Sequence, residues 1–267
     1  MSAYNFFATV YDNMMGNIPY EYWEQYILQL LCKFNVKPYS HIAELGCGTG
    51  KMTRLLAEDG FTMTGIDLSE EMLKVAFRNT PDSMYYVNMN SYKQANENSK
   101  SEFPITYIHG DMRNFVLSEK QNAIISICDS MNYLLTDDDL TSAMQSARNN
   151  LKKNGVFIFD LKTKYFYENV LDGYSDSDVI DNISYTWKNH YDSETCIHKY
   201  LLNFEITEDN GTIRNEKEVH EQRGYSGQDI KKCAIRAGFK KAVAYDAFTF
   251  EKPKKNSERI YIILFNR

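Results

Sequence analysis

Glycines 46, 48 and 50, in the run Glu44-Leu45-Gly46-Cys47-Gly48-Thr49-Gly50, have the type and spacing to do chemistry. Glycine lets a backbone turn tightly and approach a ligand with no Cβ in between. The run follows a short apolar stretch, HIAEL, and precedes a helical pattern, KMTRLLAEDG. A ligand there would meet a helix N-terminus at the carboxyl end of a strand. Two acids extend the pattern. Asp67 closes a second apolar run, where a carboxylate accepts both hydroxyls of a ribose. Asp111, in HGDM, closes a third, where it would accept an adenine amino group while Met112 packs on the ring. A dinucleotide such as NAD uses the same turn and ribose acid, but its fingerprint puts a third glycine at position 51, which is Lys51 here. Glu44, two residues ahead of Gly46, would meet an ammonium group, which favours a nucleoside bearing an amino acid over NAD.

The elements that must position these residues alternate. Tyr20 to Phe34 has apolar residues at helical spacing, and Pro38 closes the segment. FTMTGIDLS reads as a strand, followed by the helix SEEMLKVAFRN with Ser69 as its N-cap and Met72 at its third position. ITYIHGDM, NAIISICD and VFIFDL are three more strands. Between the last two, residues 137–155 read as a helix with acids at its start and Lys152, Lys153 and Gly155 at its end. Strands separated by helices imply a parallel α/β sheet. Two stretches interrupt it: a Tyr- and Asn-rich insertion from Pro81 to Pro104, and an alternating segment from Lys164 to about Gly224. In the second, ISYTW, HKYLLNFEIT and TIRNEKEVHEQR predict an antiparallel meander with Tyr200, Leu202, Phe204 and Ile206 on one face. The expected organisation is a Rossmann-like unit from 1–163 and 225–267, with 1–38 as a helical cap and 164–224 as an inserted β lid.

With ELGCGTG, GIDLSEEML, GDM and NAIISICDSMNYL…LKKNGVFIFDL in hand, the chain resembles class I S-adenosylmethionine-dependent methyltransferases over nearly its whole length. It is most similar to small-molecule N- and O-methyltransferases with a meander over the active site, including the glycine and amino-sugar N-methyltransferase groups. Its N-terminus also resembles that of uncharacterised methyltransferases of low-GC Gram-positive bacteria. The resemblance implies a seven-stranded sheet with the last hairpin reversed and S-adenosyl-L-methionine as cofactor. It implies Glu44 and Gly46 at the methionine end, with Cys47, Gly48 and Gly50 in the same loop. It further implies Asp67 at the ribose with Leu68 and Met72 beside it, Asp111 and Met112 at adenine, and the backbone near Cys128 against the ligand. Where glycine N-methyltransferases carry Arg after the strand VFIFD, this chain has Lys162, without the planar fork. Where they carry Asn after the fourth strand, it has Asp129.

Methyl transfer from a sulfonium needs alignment and exclusion of water. Tyr11, Tyr20 and Trp23 are candidates to enclose the methionine end, since aromatic faces favour a cation. Trp23 also fits core packing on a helix face; Tyr11 is expected in an irregular segment before the first helix. Asp129 and Tyr133, just after a strand end, are candidates to orient the nucleophile, against helix capping and packing as their plainer roles. Tyr11 is the third catalytic candidate. His198 and His220 lie on lid strands, where a solvated or satisfied histidine is the ordinary case. Glu221 and Arg223 share a strand face and would pair.

Composition bounds the partners. The 267 residues hold 30 Lys+Arg against 36 Asp+Glu, a net charge of −6 that argues against nucleic acid as substrate. RNA- or protein-modifying methylation and a non-catalytic binding module are the competing readings to a small-molecule acceptor, with homodimerisation open. Five unclustered cysteines suggest neither disulfide framework nor metal site. With no leader-like or membrane-spanning run, the expected location is the cytoplasm. Tyrosines, 20 in all, concentrate in the additions to the minimal sheet, where ring walls with polar tips suit a substrate pocket.

Overall fold

The computed structural model describes residues 7–16, 18–81, 84 and 105–267. Helices α1 (Phe7–Met14) and α2 (Tyr20–Lys33) lead into strand β1 (His41–Leu45) and α3 (Lys51–Glu58). Then come β2 (Thr62–Asp67), α4 (Glu70–Asn79), β3 (Ile105–His109), β4 (Gln121–Ser126), α5 (Asp137–Asn150) and β5 (Leu151–Lys162). A single helical turn, α6 (Lys164–Phe166), opens the insertion, which contains β6 (Ser175–Ile180), β7 (Ile183–Asp192), β8 (Ile197–Thr207) and β9 (Ile213–Arg223). Helix α7 (Gly227–Arg236), β10 (Lys241–Asp246) and β11 (Arg259–Phe265) close the chain. The predicted insertion from Pro81 to Pro104 lies, Pro81 and Met84 aside, outside the described residues.

The main sheet has seven strands in the order β10-β11-β5-β4-β1-β2-β3. Its strands read as near-continuous apolar runs because both faces are covered. Ile42, Met63, Ile125 and Ile158 point to a core shared with Ile27, Leu30 and Leu31 of α2. Ala43, Ile124 and Phe157, each adjacent in sequence to one of these, and Ile66, three on from Met63, point the other way, to Ala143 and Met144 of α5 and Ile230 of α7. Helix starts follow local chemistry. Ser69 Oγ accepts from the Met72 amide at 3.2 Å, Thr136 Oγ1 from the Asp139 amide at 3.0 Å, and Ser226 and Asp229 form a capping box. Chain order reverses between β4 and β1, so the crevice outside their carboxyl ends is where such sheets hold ligands.

Four expectations need correcting. Only β11 runs against the sheet; β10, antiparallel to it, is parallel to the rest, so it is the final strand rather than a hairpin that is reversed. The helix expected to end at Gly155 stops at Asn150, and Lys152 and Lys153 belong to β5, leaving Arg148 in the last turn. The meander has four strands, because the polar stretch Ser175–Ile180 pairs with β7 through backbone bonds that need no apolar pattern. Tyr11 lies within helix α1, not in an irregular segment. The expected alternation on β8 is present: Tyr200, Leu202, Phe204 and Ile206 are buried, and Phe7 and Val10 of α1 pack against the last three.

Candidate functional site

A cleft of about 1030 Å³ runs from the carboxyl ends of β1, β2 and β3 to the inner face of the four-stranded sheet. At its first end Gly46 and Gly48 have φ of 69° and 53°. A Cβ on Gly46 would stand 2.7 Å from the Ser130 side chain, whereas one on Gly48 would meet nothing within 4 Å, so Gly48 fronts open space. Gly50 does not line the cleft. It serves packing, since a Cβ there would run into the Tyr107 phenol. Asp67 Oδ2 accepts from the Gly48 amide at 2.7 Å and Oδ1 from the Ser69 amide at 2.8 Å. Each carboxylate oxygen keeps a further lone pair, facing the same opening. Burial raises the Asp67 carboxyl above its usual range, against the pull of those two amides. Leu68, 65% exposed, forms the rim, and Met72 and Met112 line the wall.

Glu44 is buried and its Oε2 accepts a short hydrogen bond from Thr53 Oγ1. Burial pushes its carboxyl up to about 8, despite that bond. It is a buried carboxyl facing a cleft, with the Arg54 charge only partly offsetting the burial. Asp111, expected to be open to an adenine amine, is instead gripped by the Arg113 fork at 2.6–3.0 Å, and Arg113 reaches on to Asp139 at 2.8 Å. Those bonds hold the Asp111 carboxyl below its usual range.

Cys128 and Asp129, consecutive residues beyond β4, are both left-handed, with φ of 58° and 56°. This costly backbone for residues with a Cβ turns the chain sharply between the two halves of the cleft. The Asp129 side chain forms no helix cap. Its Oδ2 accepts from Gln222 Nε2 at 2.8 Å and lies 3.2 Å from Lys162 Nζ, and its Oδ1 accepts from Arg259 Nη2 at 2.9 Å. The expected nucleophile-orienting role therefore meets a carboxylate already held by three donors. Burial alone would raise the Asp129 carboxyl, but Lys162 and Arg259 outweigh it and hold the group low. The second guanidinium nitrogen of Arg259 donates to Asp160, which is fully buried. Lys162 Nζ also donates to Tyr200 Oη at 3.0 Å, and Tyr200 in turn to Gln222 Oε1 at 3.0 Å.

Helix α1 joins the two ends. Asp12 accepts from Thr49 Oγ1 of the glycine loop at 2.7 Å and from Asn79 Nδ2 at 3.0 Å, while the Phe7 amide donates to Glu218 Oε1 on β9 at 2.9 Å. Tyr11, Tyr20 and Trp23 line the cleft between them. Burial raises the Tyr11 and Tyr20 phenols, so both stay protonated donors. Trp23 also belongs to the core and carries the Arg259 guanidinium 4.8 Å above its ring, so packing and lining coexist in one side chain. Beyond α1, Trp187, Leu202, Tyr133 and His220 wall the far end. The Tyr133 hydroxyl lies 3.4 Å from His220 Nδ1, and His220 Nε2 lies 3.2 Å from Glu218 Oε2. His198, by contrast, is enclosed within the lid, where burial lowers it to about 4 and keeps it neutral. Glu221 and Arg223 do not pair: Glu221 meets Lys199 at 2.9 Å and Arg223 meets Asp137 at 3.0 Å.

Sequence reasoning missed Arg259, Asp160, Asn132 and Gln222. A signal existed for Asp160, a carboxylate inside the apolar run VFIFDL that had to find a buried cation. Asn132, buried, donates to the carbonyls of Lys162 and Arg223 at 3.0 and 2.8 Å, tying the lid to β5; nothing local marks it. Among the described residues no group of three or more His, Cys, Asp or Glu could hold a metal ion, and no helix is long and apolar enough to cross a membrane.

Comparison with known proteins adds four findings. Residues 43–159 match the Methyltransferase domain family. YqeM of Bacillus subtilis (strain 168), which carries a methyltransferase name, is 30% identical over 97% of this chain and 95% of its own length. A crystal structure of an S-adenosylmethionine-dependent methyltransferase from Clostridium acetobutylicum ATCC 824 superposes with a TM-score of 0.75 at 26% identity, covering 98% of both chains. A dTDP-3-amino-3,4,6-trideoxy-alpha-D-glucopyranose N,N-dimethyltransferase of Streptomyces venezuelae is 26% identical over 68% of this chain and 67% of its own.

Proposed function

The chain belongs to the S-adenosylmethionine-dependent methyltransferase family, and from that premise we propose that it methylates an amine nitrogen of a small molecule held beneath the antiparallel sheet. The observation that carries the amine reading is the acceptor end of the cleft. There the rings of Trp187 and Tyr200 meet edge to face at 5.4 Å, and Phe7 lies 6.2 Å from Trp187. Ring faces of this kind suit a cationic nitrogen, at about 0.5–2 kcal/mol. The Streptomyces venezuelae relative, named for N,N-dimethylation of an amino sugar, supports the same reading.

The residues at the other end fit the donor. When bound, S-adenosylmethionine supplies an electrophilic methyl group on a sulfonium. Gly48 gives it open space, Asp67 would accept from the ribose, and Glu44 would face the ammonium end. The chain's own task is to seat both partners in line and keep water out, an alignment worth roughly 7–11 kcal/mol. Incubating the protein with a cell extract and methyl-labelled donor should yield an N-methylated low-mass product by mass spectrometry. Label found in RNA or protein would overturn the acceptor class.

Glu44 makes donor binding pH-dependent. Its carboxyl, raised to about 8, holds a proton at pH 7 in the free protein. An ammonium beside it demands the carboxylate, so binding must expel that proton. Donor affinity should therefore rise with pH, by up to roughly tenfold per unit below about 8, and fall again above, where the donor's own amino group loses its proton. Titration calorimetry in buffers of different ionisation enthalpy would count the proton. A Glu44→Gln variant should bind weakly with no such slope.

A further inference from the structure

The acceptor wall contains a three-member chain of polar side chains. Tyr133, on the turn after β4, has its hydroxyl 3.4 Å from His220 Nδ1. His220 Nε2 is 3.2 Å from Glu218 Oε2, and the other Glu218 oxygen accepts the Phe7 amide at 2.9 Å. His220 is 2% exposed and Glu218 9% exposed, yet His220 and Tyr133 both line the cleft. A carboxylate, an imidazole and a hydroxyl in file, with the hydroxyl and imidazole lining the cleft and the carboxylate behind them, is an arrangement that moves a proton inward from the cleft.

The geometry points to Tyr133, His220 and Glu218 as a relay that takes the proton from an acceptor arriving as an alkylammonium ion. This inference rests on the amine reading above and narrows it to aliphatic amines, which are protonated at neutral pH and have no lone pair to attack with until they lose that proton. In the relay His220 Nε2 faces Glu218 and donates to it, so that Nδ1 is the atom that receives the proton from Tyr133. An N–H of the acceptor then gives its proton to Tyr133 Oη as the tyrosine's own proton passes to His220 Nδ1. The freed lone pair forms the N–C bond, the sulfonium C–S bond breaks, and the donor leaves as a neutral thioether. The imidazolium so formed stands against Glu218, and its proton returns to water when the product departs. Net, one proton is released per methyl transferred.

The groups facing the relay come from each element packed on it. Tyr200 stands opposite His220 in the β8–β9 register, and Phe7 and Tyr11 belong to α1. Gln222, next on the same face of β9, leads to Asp129 with Lys162 and Arg259. Those two cations are already paired with Asp129 and Asp160, so Glu218 is the anion beside the imidazolium. An aniline would have no use for a relay of this kind, since it is already unprotonated at neutral pH.

The test uses the full chain with S-adenosylmethionine and three probe amines: dTDP-3-amino-3,6-dideoxyglucose, glucosamine and 2-phenylethylamine. His220→Gln and Tyr133→Phe should each lower kcat/KM about 100-fold at neutral pH. Their profiles should then climb one decade per pH unit and meet the wild type near each amine's own pKa, about 10 for 2-phenylethylamine and lower for the amino sugars, whose neighbouring oxygens withdraw electrons. Glu218→Gln should act in the same direction. Donor affinity, read by calorimetry, should stay within about threefold in all three. A second readout needs no turnover: in 15N-histidine spectra of the S-adenosylhomocysteine complex, His220 should carry its hydrogen on Nε2, and Glu218→Gln should shift that resonance. A loss equal at every pH, no loss at all, or a hydrogen on Nδ1 would overturn the relay. Wild-type protein that binds donor but methylates none of the amines would overturn the amine reading itself.

Discussion

Arg259→Ala is expected to lower stability by about 3–5 kcal/mol, the usual cost of stripping one partner from a buried charge group. One nitrogen of this guanidinium holds Asp160, which is fully buried, and the other holds Asp129 at 2.9 Å. Removing it leaves Asp160 with no cation and Asp129 with Lys162 alone, 3.2 Å away. For a chain of this length the melting temperature should fall by on the order of 10 °C in calorimetry. The pH dependence carries a definite sign. Asp129 is held below its usual range in the wild type, so its contribution is complete above the unfolded carboxylate pKa and fades as pH falls through the folded one. In the variant the stranded acids prefer to be protonated, so its deficit should be largest near neutrality and shrink towards pH 4. Arg259→Lys should recover only part of the loss, because one ammonium cannot reach both carboxylates as a fork does. A variant as stable as the wild type would remove the cluster from any role in holding lid to sheet.

Asp67→Ala is expected to reduce donor affinity by at least ~100-fold, about 3 kcal/mol, as two charge-assisted hydrogen bonds to a ribose would supply. Calorimetric titration with S-adenosylmethionine measures it directly. The same carboxylate also holds the Gly48 and Ser69 amides, so the variant releases the glycine loop as well as the ligand. Asp67→Asn separates the two effects. Its carbonyl keeps one amide partner, and its loss of affinity should be smaller at nearly unchanged thermal stability. A dissociation constant within about threefold of wild type for Asp67→Ala would refute the ribose assignment.

The parallel sheet was legible because its signals are local. Apolar runs, the glycine turn and the cap at Ser69 each specify their own geometry within a few residues. The closing strand's direction was partly legible, and the polar strand β6 was not, since backbone pairing with β7 leaves no trace in side-chain pattern. At the site, chain proximity marked Glu44, Gly46, Gly48 and Asp67, all of which line one cleft. What stayed hidden was the partnering. Asp111 lines the cleft with Arg113 gripping it, and Asp129 lines it with Gln222, Lys162 and Arg259 brought from three other strands. Such contacts join residues up to 130 positions apart, and no spacing rule encodes them. Gly50 shows the converse: a residue inside the motif that does not line the cleft and whose missing Cβ leaves room for the Tyr107 phenol.

Helix α1 is hydrogen-bonded to the donor loop through Asp12 and to the acceptor wall through the Phe7 amide. A single rigid element touching both compartments makes each a reader of the other. Whatever free energy donor binding adds to the seating of α1 reappears, by reciprocity, as tighter hold on the acceptor. The coupling runs both ways: an Asp12→Ala variant, which cuts one tether, should show weaker synergy between donor and acceptor binding in paired calorimetric titrations.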